Sequence, residues 1–239
     1  MRVEIFPSRA AMGRAAATEV ADELRRRLTT QDDVRMVFAA APSQQEFLDA
    51  LAVAPGLDWR RVTAFHMDEY LDLAADAPQR FGTWLRRALF DRVPLRPRLL
   101  GDPADYARQL AEAPIDLVCL GIGDNGHLAF NDPPVADFHD PADVKVVELD
   151  AACRQQQVDD ECFATLAEVP HRAITLTVPR LLAADRLFCV VPGPRKAEAV
   201  RRTLHDPIGE ACPATALRTH ADCTLFLDED AAARAGRDG

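Results

Sequence analysis

Apolar residues follow two patterns along the chain. The segments VEIF (3–6), RMVFAAA (35–41), VTAFHM (62–67), IDLVCLGIG (115–123), VKVVEL (144–149), AITLTV (173–178), LFCVV (187–191) and CTLFL (223–227) are short apolar runs rich in β-branched and aromatic residues, and predict strands. Between them the apolar positions repeat at helical spacing. Ala17, Val20, Ala21, Leu24 and Leu28 share one face of a helix predicted from Ser8, its N-cap, to about Leu28. Further helices are predicted over SQQEFLDALAV with Ser43 near its start, over 79–92 despite Gly82, from Pro179, and over 195–204. A proline suits the first helical turn because its missing N–H has no partner there anyway.

Strands that are apolar on both faces and alternate with helices predict a doubly wound α/β fold: one mostly parallel sheet with helices on both faces. The chain carries no repeat, no low-complexity tract and no Gly/Ser-rich linker, so residues 1–239 read as a single domain. The polar tail DEDAAARAGRDG is expected to fray.

Charge narrows the range of partners. With 38 acidic and 28 basic residues the net charge is -10, which repels nucleic acid and anionic lipid surfaces. A phosphorylated ligand must therefore be captured by a local pocket. No apolar run is long enough to span a membrane, and the first twenty residues lack a signal-peptide core. The six cysteines form no C-x-x-C pair, and no H-E-x-x-H occurs, so neither a metal nor a redox cofactor is expected. A reducing, cytoplasmic setting without disulfides follows.

In open parallel sheets ligands bind beyond the carboxyl ends of the strands. Four segments follow strands directly: 41–45, 66–70, 121–134 and 192–196. The stretch LGIGDNGHLAFNDPP (120–134) places three glycines after a buried strand and gathers Asn125, His127 and Asp132. A histidine backed by a carboxylate is a general acid/base pair; alone, the same residues also describe a polar loop with a surface histidine. HMDEY (66–70) puts Asp68 and Glu69 side by side at a strand end, where mutual repulsion raises the proton affinity of one and suits it to act as a base on a carbon acid. Taken alone, it also describes a solvated acidic turn. Ala40, Ala41 and Ser43 lie at a strand-to-helix junction whose N–H groups suit an anion, and Arg195 and Lys196 supply cations at another.

Together, HMDEY, LGIGDNGHLAFNDPP, AITLTVPRLLAADRLFCVVPGPRKAEAV (173–200) and CPATALRTHADCTLFLDE resemble the glucosamine-6-phosphate deaminase/isomerase family, which also contains the 6-phosphogluconolactonases. The resemblance covers nearly the whole chain. It implies a deaminase/ribose-5-phosphate isomerase/CoA-transferase-like fold and isomerisation of a hexosamine 6-phosphate with loss of ammonia, without a cofactor. It leaves room for lactone hydrolysis, for a non-catalytic sugar-phosphate binder and for a homo-oligomer. Asp68 would move the proton between C2 and C1, and His127 would assist ring opening. Asp132 would stand for the family's glutamate, and Asn125 for the aspartate that orients the histidine. Lys196 would contact phosphate. The chain departs from the family's Gly-Gly-Thr/Ser-Pro phosphate loop, reading Ala39, Ala40, Ala41, Pro42, Ser43. Arg154, with Gln157 behind it, is the candidate for the phosphate-contacting arginine, and 79–85 for the lid.

Overall fold

The computed structural model describes residues 1–133 and 135–236. Pro134, which ends the 120–134 motif, and 237–239, the end of the tail, lie outside the described residues. The strands are β1 (Arg2–Phe6), β2 (Val34–Phe38), β3 (Val62–His66), β4 (Asp68–Tyr70), β5 (Arg96–Arg98), β6 (Leu117–Leu120), β7 (Val144–Glu148), β8 (Arg172–Leu176), β9 (Arg186–Val191) and β10 (Cys223–Asp228). The main sheet has seven strands in the order β1-β10-β9-β6-β2-β3-β5. Every pairing in it is parallel.

The two-residue alternation of a strand sorts the apolar side chains into two cores. Met36, Phe38, Ala64, Leu117, Cys119, Phe188, Val190 and Phe226 point to one face, where α1 (Arg9–Leu28), α2 (Gln45–Ala52) and α3 (Phe81–Leu85) pack. Their strand neighbours Val37, Phe65, Val118, Leu120, Leu187, Cys189, Leu225 and Leu227 point to the other. There α4 (Pro103–Ala111), α6 (Val178–Leu182) and α7 (Ala197–His205) contribute Tyr106, Leu110, Leu181 and Val200. The sheet is thus covered on both faces, as the doubly wound reading requires.

The structure departs from that reading at VKVVEL and AITLTV. These strands leave the main sheet and form, with β4, a separate antiparallel sheet of order β4-β8-β7. Central β8 is buried from Ala173 to Leu176, whereas edge strand β7 is half exposed, with Val146 open to solvent. Two long strands also shorten. The 35–41 run leaves the sheet after Phe38, and the 115–123 run after Leu120, so Ala39–Ala41 and Gly121–Gly123 become loop. Ser8 caps α1 as expected, its hydroxyl accepting from the Ala11 N–H at 3.2 Å. Ser43 does not cap α2, which is entered through a 3-10 turn at Pro42–Gln44.

Close approach of α1 to α2 rests on Gly13, where a Cβ would stand 2.8 Å from the backbone of Glu46 and Phe47. Two helix backbones cannot yield as a flexible side chain can. Gly13→Ala is expected to cost about 1–3 kcal/mol as overpacking, at about 2–4 °C of melting temperature per kcal/mol. A thermal melt checks this; an unchanged midpoint would show that the two helices separate without penalty.

Candidate active site

A cleft of about 580 Å³ opens at the carboxyl ends of β2, β3, β6 and β9. All four strand-following segments reach it, as expected for ligand sites in parallel sheets. It brings together Asp68, His127, Ala40, Ala41, Ser43 and Lys196. Asn125 and Asp132 stand behind His127, and Arg154 lies elsewhere.

Asp68 is the first residue of β4, one step after the chain leaves the main sheet. It is 7 % exposed, and its carboxyl meets no hydrogen-bond donor among the described residues. Burial, with a smaller contribution from the adjacent Glu69, holds its pKa well above the ordinary carboxylate range. Glu69 is also buried, and burial raises its pKa too. It accepts from the backbone N–H groups of Tyr70 at 2.9 Å and of Phe81 and Gly82 at 3.0 Å each. Glu69 thereby caps α3, the segment carrying Phe81 and Trp84 onto the cleft wall. Of the adjacent carboxylates, Glu69 is held by backbone donors and Asp68, among the described residues, is not.

His127 sits on a turn closed by Gly126 N–H to Gly123 carbonyl at 2.9 Å. Gly126 has φ +89°, a left-handed conformation that suits glycine. Gly123 makes room for the ring, since a Cβ there would stand 2.2 Å from Cε1 and Nε2 of His127. Nδ1 of His127 lies 2.9 Å from Oδ1 of Asn125 and 3.0 Å from Oδ1 of Asp132. Both are acceptors, so Nδ1 carries the proton and Nε2 is left for the cleft. Asn125 also accepts from the His127 N–H at 3.0 Å and donates its amide to Asp132 at 2.8 Å. Burial pushes the Asp132 pKa up, but the hydrogen bonds from His127 and Asn125 outweigh it and hold the carboxyl below its ordinary range.

At the opposite end Lys196 and Arg195 follow β9 across Gly193, whose φ of +92° turns the chain. Asp228, at the end of β10, fixes that turn by accepting from the Gly193 N–H at 2.9 and 3.0 Å. Lys196 is ion-paired to Asp124. Ser43 lines the cleft, its hydroxyl 3.4 Å from the Gln44 amide.

The assignment of a phosphate contact to Arg154 is corrected. Its guanidinium is buried against the 166–169 turn, donating to the carbonyls of Leu166 and Val169, and it does not line the cleft. The cleft residues on the same helix, α5 (Ala151–Asp159), are Gln156 and Gln157. Gln157 accepts from the Tyr70 hydroxyl, whose ring is held among Phe81, Phe130 and Phe163. The resemblance points to an arginine in this segment, but the helix register turns Arg154 away from the cleft and Gln156 and Gln157 toward it. Arg9 and Arg87 also reach the cleft; Arg9 follows β1 and Arg87 lies on the helical turn that continues α3, both outside the four segments singled out from the sequence. Gln44 was missed as well: its amide donates to the Val190 carbonyl at 3.0 Å, while its buried Oε1 has no partner.

A parallel α/β sheet with a carboxylate, an oriented imidazole and a lysine at the carboxyl ends of its strands defines the class. The sequence profile described as glucosamine-6-phosphate isomerases/6-phosphogluconolactonase matches residues 7–226, and the chain belongs to this family. A glucosamine-6-phosphate deaminase of Listeria innocua is 31% identical over 226 residues, covering 91% of this chain and 94% of its own. One from Exiguobacterium sibiricum is 35% identical over 185 residues, or 74% and 71%. A solved structure of a monomeric glucosamine-6-phosphate deaminase superposes with a TM-score of 0.89 at 26% identity, over 98% of this chain and 100% of that one. A 6-phosphogluconolactonase from Shewanella baltica shares the fold at TM-score 0.77 and 19% identity, over 95% and 97%.

Raised proton affinity at Asp68 is also a statement about stability. The unfolded chain gives up this proton at a lower pH than the folded one, so stability falls as pH rises through that interval, and the full penalty is present above the folded pKa. Asp68→Asn removes the buried charge. The variant is expected to melt above wild type at neutral pH, by about 2–4 °C per kcal/mol relieved, with the gain vanishing below the ordinary aspartate pKa of about 4. Melting curves across pH test this; a variant less stable at neutral pH would show that the ionised carboxylate is favourably solvated in the cleft.

Proposed function

We propose that the protein converts glucosamine 6-phosphate to fructose 6-phosphate and ammonia. The observation that carries this reading is Asp68: a buried carboxylate with no hydrogen-bond donor among the described residues, of raised basicity, opening on the same cleft as His127. Lactone hydrolysis requires only an activated water and gives a second, carbon-directed base nothing to do. Isomerisation requires a base that removes a proton from C2 and returns it to C1.

His127 works first. Its Nε2 takes the proton of the anomeric hydroxyl and passes a proton to the ring oxygen, which opens the sugar to the aldehyde. Asn125 and Asp132 hold Nδ1 protonated and stabilise the imidazolium that forms transiently. Asp68 then removes the C2 proton, and the C1 carbonyl oxygen takes a proton from the substrate's own ammonium group as the C1–C2 double bond forms. Return of the proton from Asp68 to C1 leaves an iminium at C2. Water adds there, the C2–N bond breaks and ammonia leaves. The phosphate, remote from these carbons, lies at Lys196 and the loop of Ala40, Ala41 and Ser43. Such chemistry on a free metabolite, together with six unpaired cysteines, supports a cytoplasmic setting.

The test is an ammonia-release assay on glucosamine 6-phosphate, run beside galactosamine 6-phosphate and 6-phosphogluconolactone. Ammonia with a ketose phosphate from the gluco substrate is expected; acid release from the lactone without ammonia from either sugar overturns the reading. In deuterated water wild type should incorporate deuterium at C1 of the product. Asp68→Asn should abolish this, consistent with the roughly 10²–10⁴ in rate that general-base catalysis supplies. Incorporation at the wild-type rate would remove Asp68 from the mechanism.

A second expectation separates ring opening from proton transfer. His127→Gln should slow turnover of the cyclic substrate by about 10²–10⁴ while affecting an acyclic 2-amino-aldose phosphate much less. Steady-state rates on both substrates decide the matter. Equal losses would place His127 in the isomerisation or in the fold.

A further inference from the structure

Three of the four cations that reach the cleft are tied to carboxylates. Arg9 is bound by Glu46 at 2.9 and 3.0 Å, near the rim. Arg195 reaches Asp124 through Nε at 3.1 Å and Asp160 through Nη1 at 2.9 Å. Lys196 is paired to the other oxygen of Asp124. Arg87, the fourth, donates to the Pro78 carbonyl. At the end that receives the phosphate in the reading above, the two cations therefore face two carboxylates, and the cluster of Asp124, Asp160, Arg195 and Lys196 has no net charge.

Asp124 is held firmly in this position. Its backbone N–H donates to Oε1 of Gln156 at 3.2 Å, and its side chain bridges both cations. The Lys196 side chain is only 12% exposed, so the pair is screened less than one at an open surface. A sugar phosphate brings a charge of about −1.5 to −2 at neutral pH to a lysine already neutralised.

We propose that Asp124 competes with the ligand's phosphate for Lys196 and thereby sets the affinity of the cleft for phosphates. This rests on the proposed sugar-phosphate reading of the cleft. The paired carboxylate weakens capture of any phosphate, and ligands that also fill the sugar end recover the loss through their other contacts. Inorganic phosphate cannot. Subtracting charge at the phosphate end keeps the cleft from filling with free phosphate, while a sugar phosphate still binds through its sugar contacts.

Inorganic phosphate is the probe, titrated by calorimetry at fixed ionic strength into wild type, Asp124→Asn, Lys196→Ala and the double variant. Asp124→Asn keeps the shape and removes the charge, and is expected to bind phosphate about tenfold more tightly. Lys196→Ala is expected to weaken binding, and Asp124→Asn in that background should give no gain. The KM for glucosamine 6-phosphate should fall in Asp124→Asn by more than kcat changes, a split that mere disturbance of the turn would not produce. Asp124→Ser, with the same expectation, replaces Asp124→Asn if a thermal melt shows the latter misfolded. Unchanged or weaker phosphate binding in the folded variant, with Lys196→Ala still losing affinity, overturns the role of Asp124 and leaves the phosphate site standing. Equal binding by wild type and Lys196→Ala overturns the phosphate site and the inference with it.

Discussion

The chain changes sheets at Met67, and the cleft is built on that change. The Met67 N–H donates to the Phe38 carbonyl of β2 at 3.3 Å, while its carbonyl accepts from the Leu176 N–H of β8 at 2.8 Å. One residue thus belongs to the hydrogen bonding of both sheets. The preceding residue locks the crossover. His66 is fully buried, its Nδ1 2.9 Å from the Asp68 carbonyl and its Nε2 accepting from the Leu100 N–H at 2.7 Å. A carbonyl on one side and an N–H on the other admit only the neutral ring protonated at Nδ1. A second proton would set Nε2–H against N–H, and burial accordingly brings the pKa down to about 4. Tyr106 completes the clamp, its hydroxyl accepting from the His66 N–H at 2.9 Å and donating to the His66 carbonyl at 2.7 Å.

That clamp explains how the protein tolerates Asp68 where it stands. A buried carboxylate without donors is unfavourable and would turn toward solvent if its backbone were free. Its backbone is not free: Asp68 pairs with Thr175 in β4, and its carbonyl is held by His66. The same crossover delivers Glu69 to three backbone N–H groups. Two neighbouring buried acids thus differ in their partners: Glu69 has three backbone N–H groups and the Arg80 guanidinium at 3.5 Å, whereas burial raises the proton affinity of Asp68 with no donor to oppose it among the described residues.

Most of this was legible where local physics agrees with the tertiary outcome. Continuous apolar runs marked the inner parallel strands because those strands are buried on both faces, and strand-following loops marked the cleft because all the strands of the main sheet run the same way. The polar segments were harder. Asp68–Tyr70 is a strand only because β8 lies beside it, and Arg96–Arg98 only because β3 does. Helix α4 had a readable start in Asp102 followed by Pro103, the aspartate accepting from Asp105 N–H at 2.9 Å, but its apolar face is reduced to Tyr106 and Leu110. For α5 the sequence marks charge but not register. Arg154 and Gln157 lie three residues apart, and only packing decides which of them meets the 166–169 turn and which meets Tyr70.

The histidine cluster shows how substitutions within a motif compensate. Where the resemblance implies an aspartate, Asn125 contributes an oxygen that accepts from Nδ1 of His127 and an amide that donates to Asp132 at 2.8 Å. A carboxylate at 125 could accept from the imidazole but would face Asp132 with a second negative charge at that distance, and one of the two would have to take up a proton. The amide removes this conflict. A single charge, on Asp132, is left beside the imidazole, and the contacts from both neighbours hold its pKa below the ordinary carboxylate range despite its burial. Asn125 thus meets the imidazole as the implied aspartate would, and leaves a single carboxylate, Asp132, beside the ring.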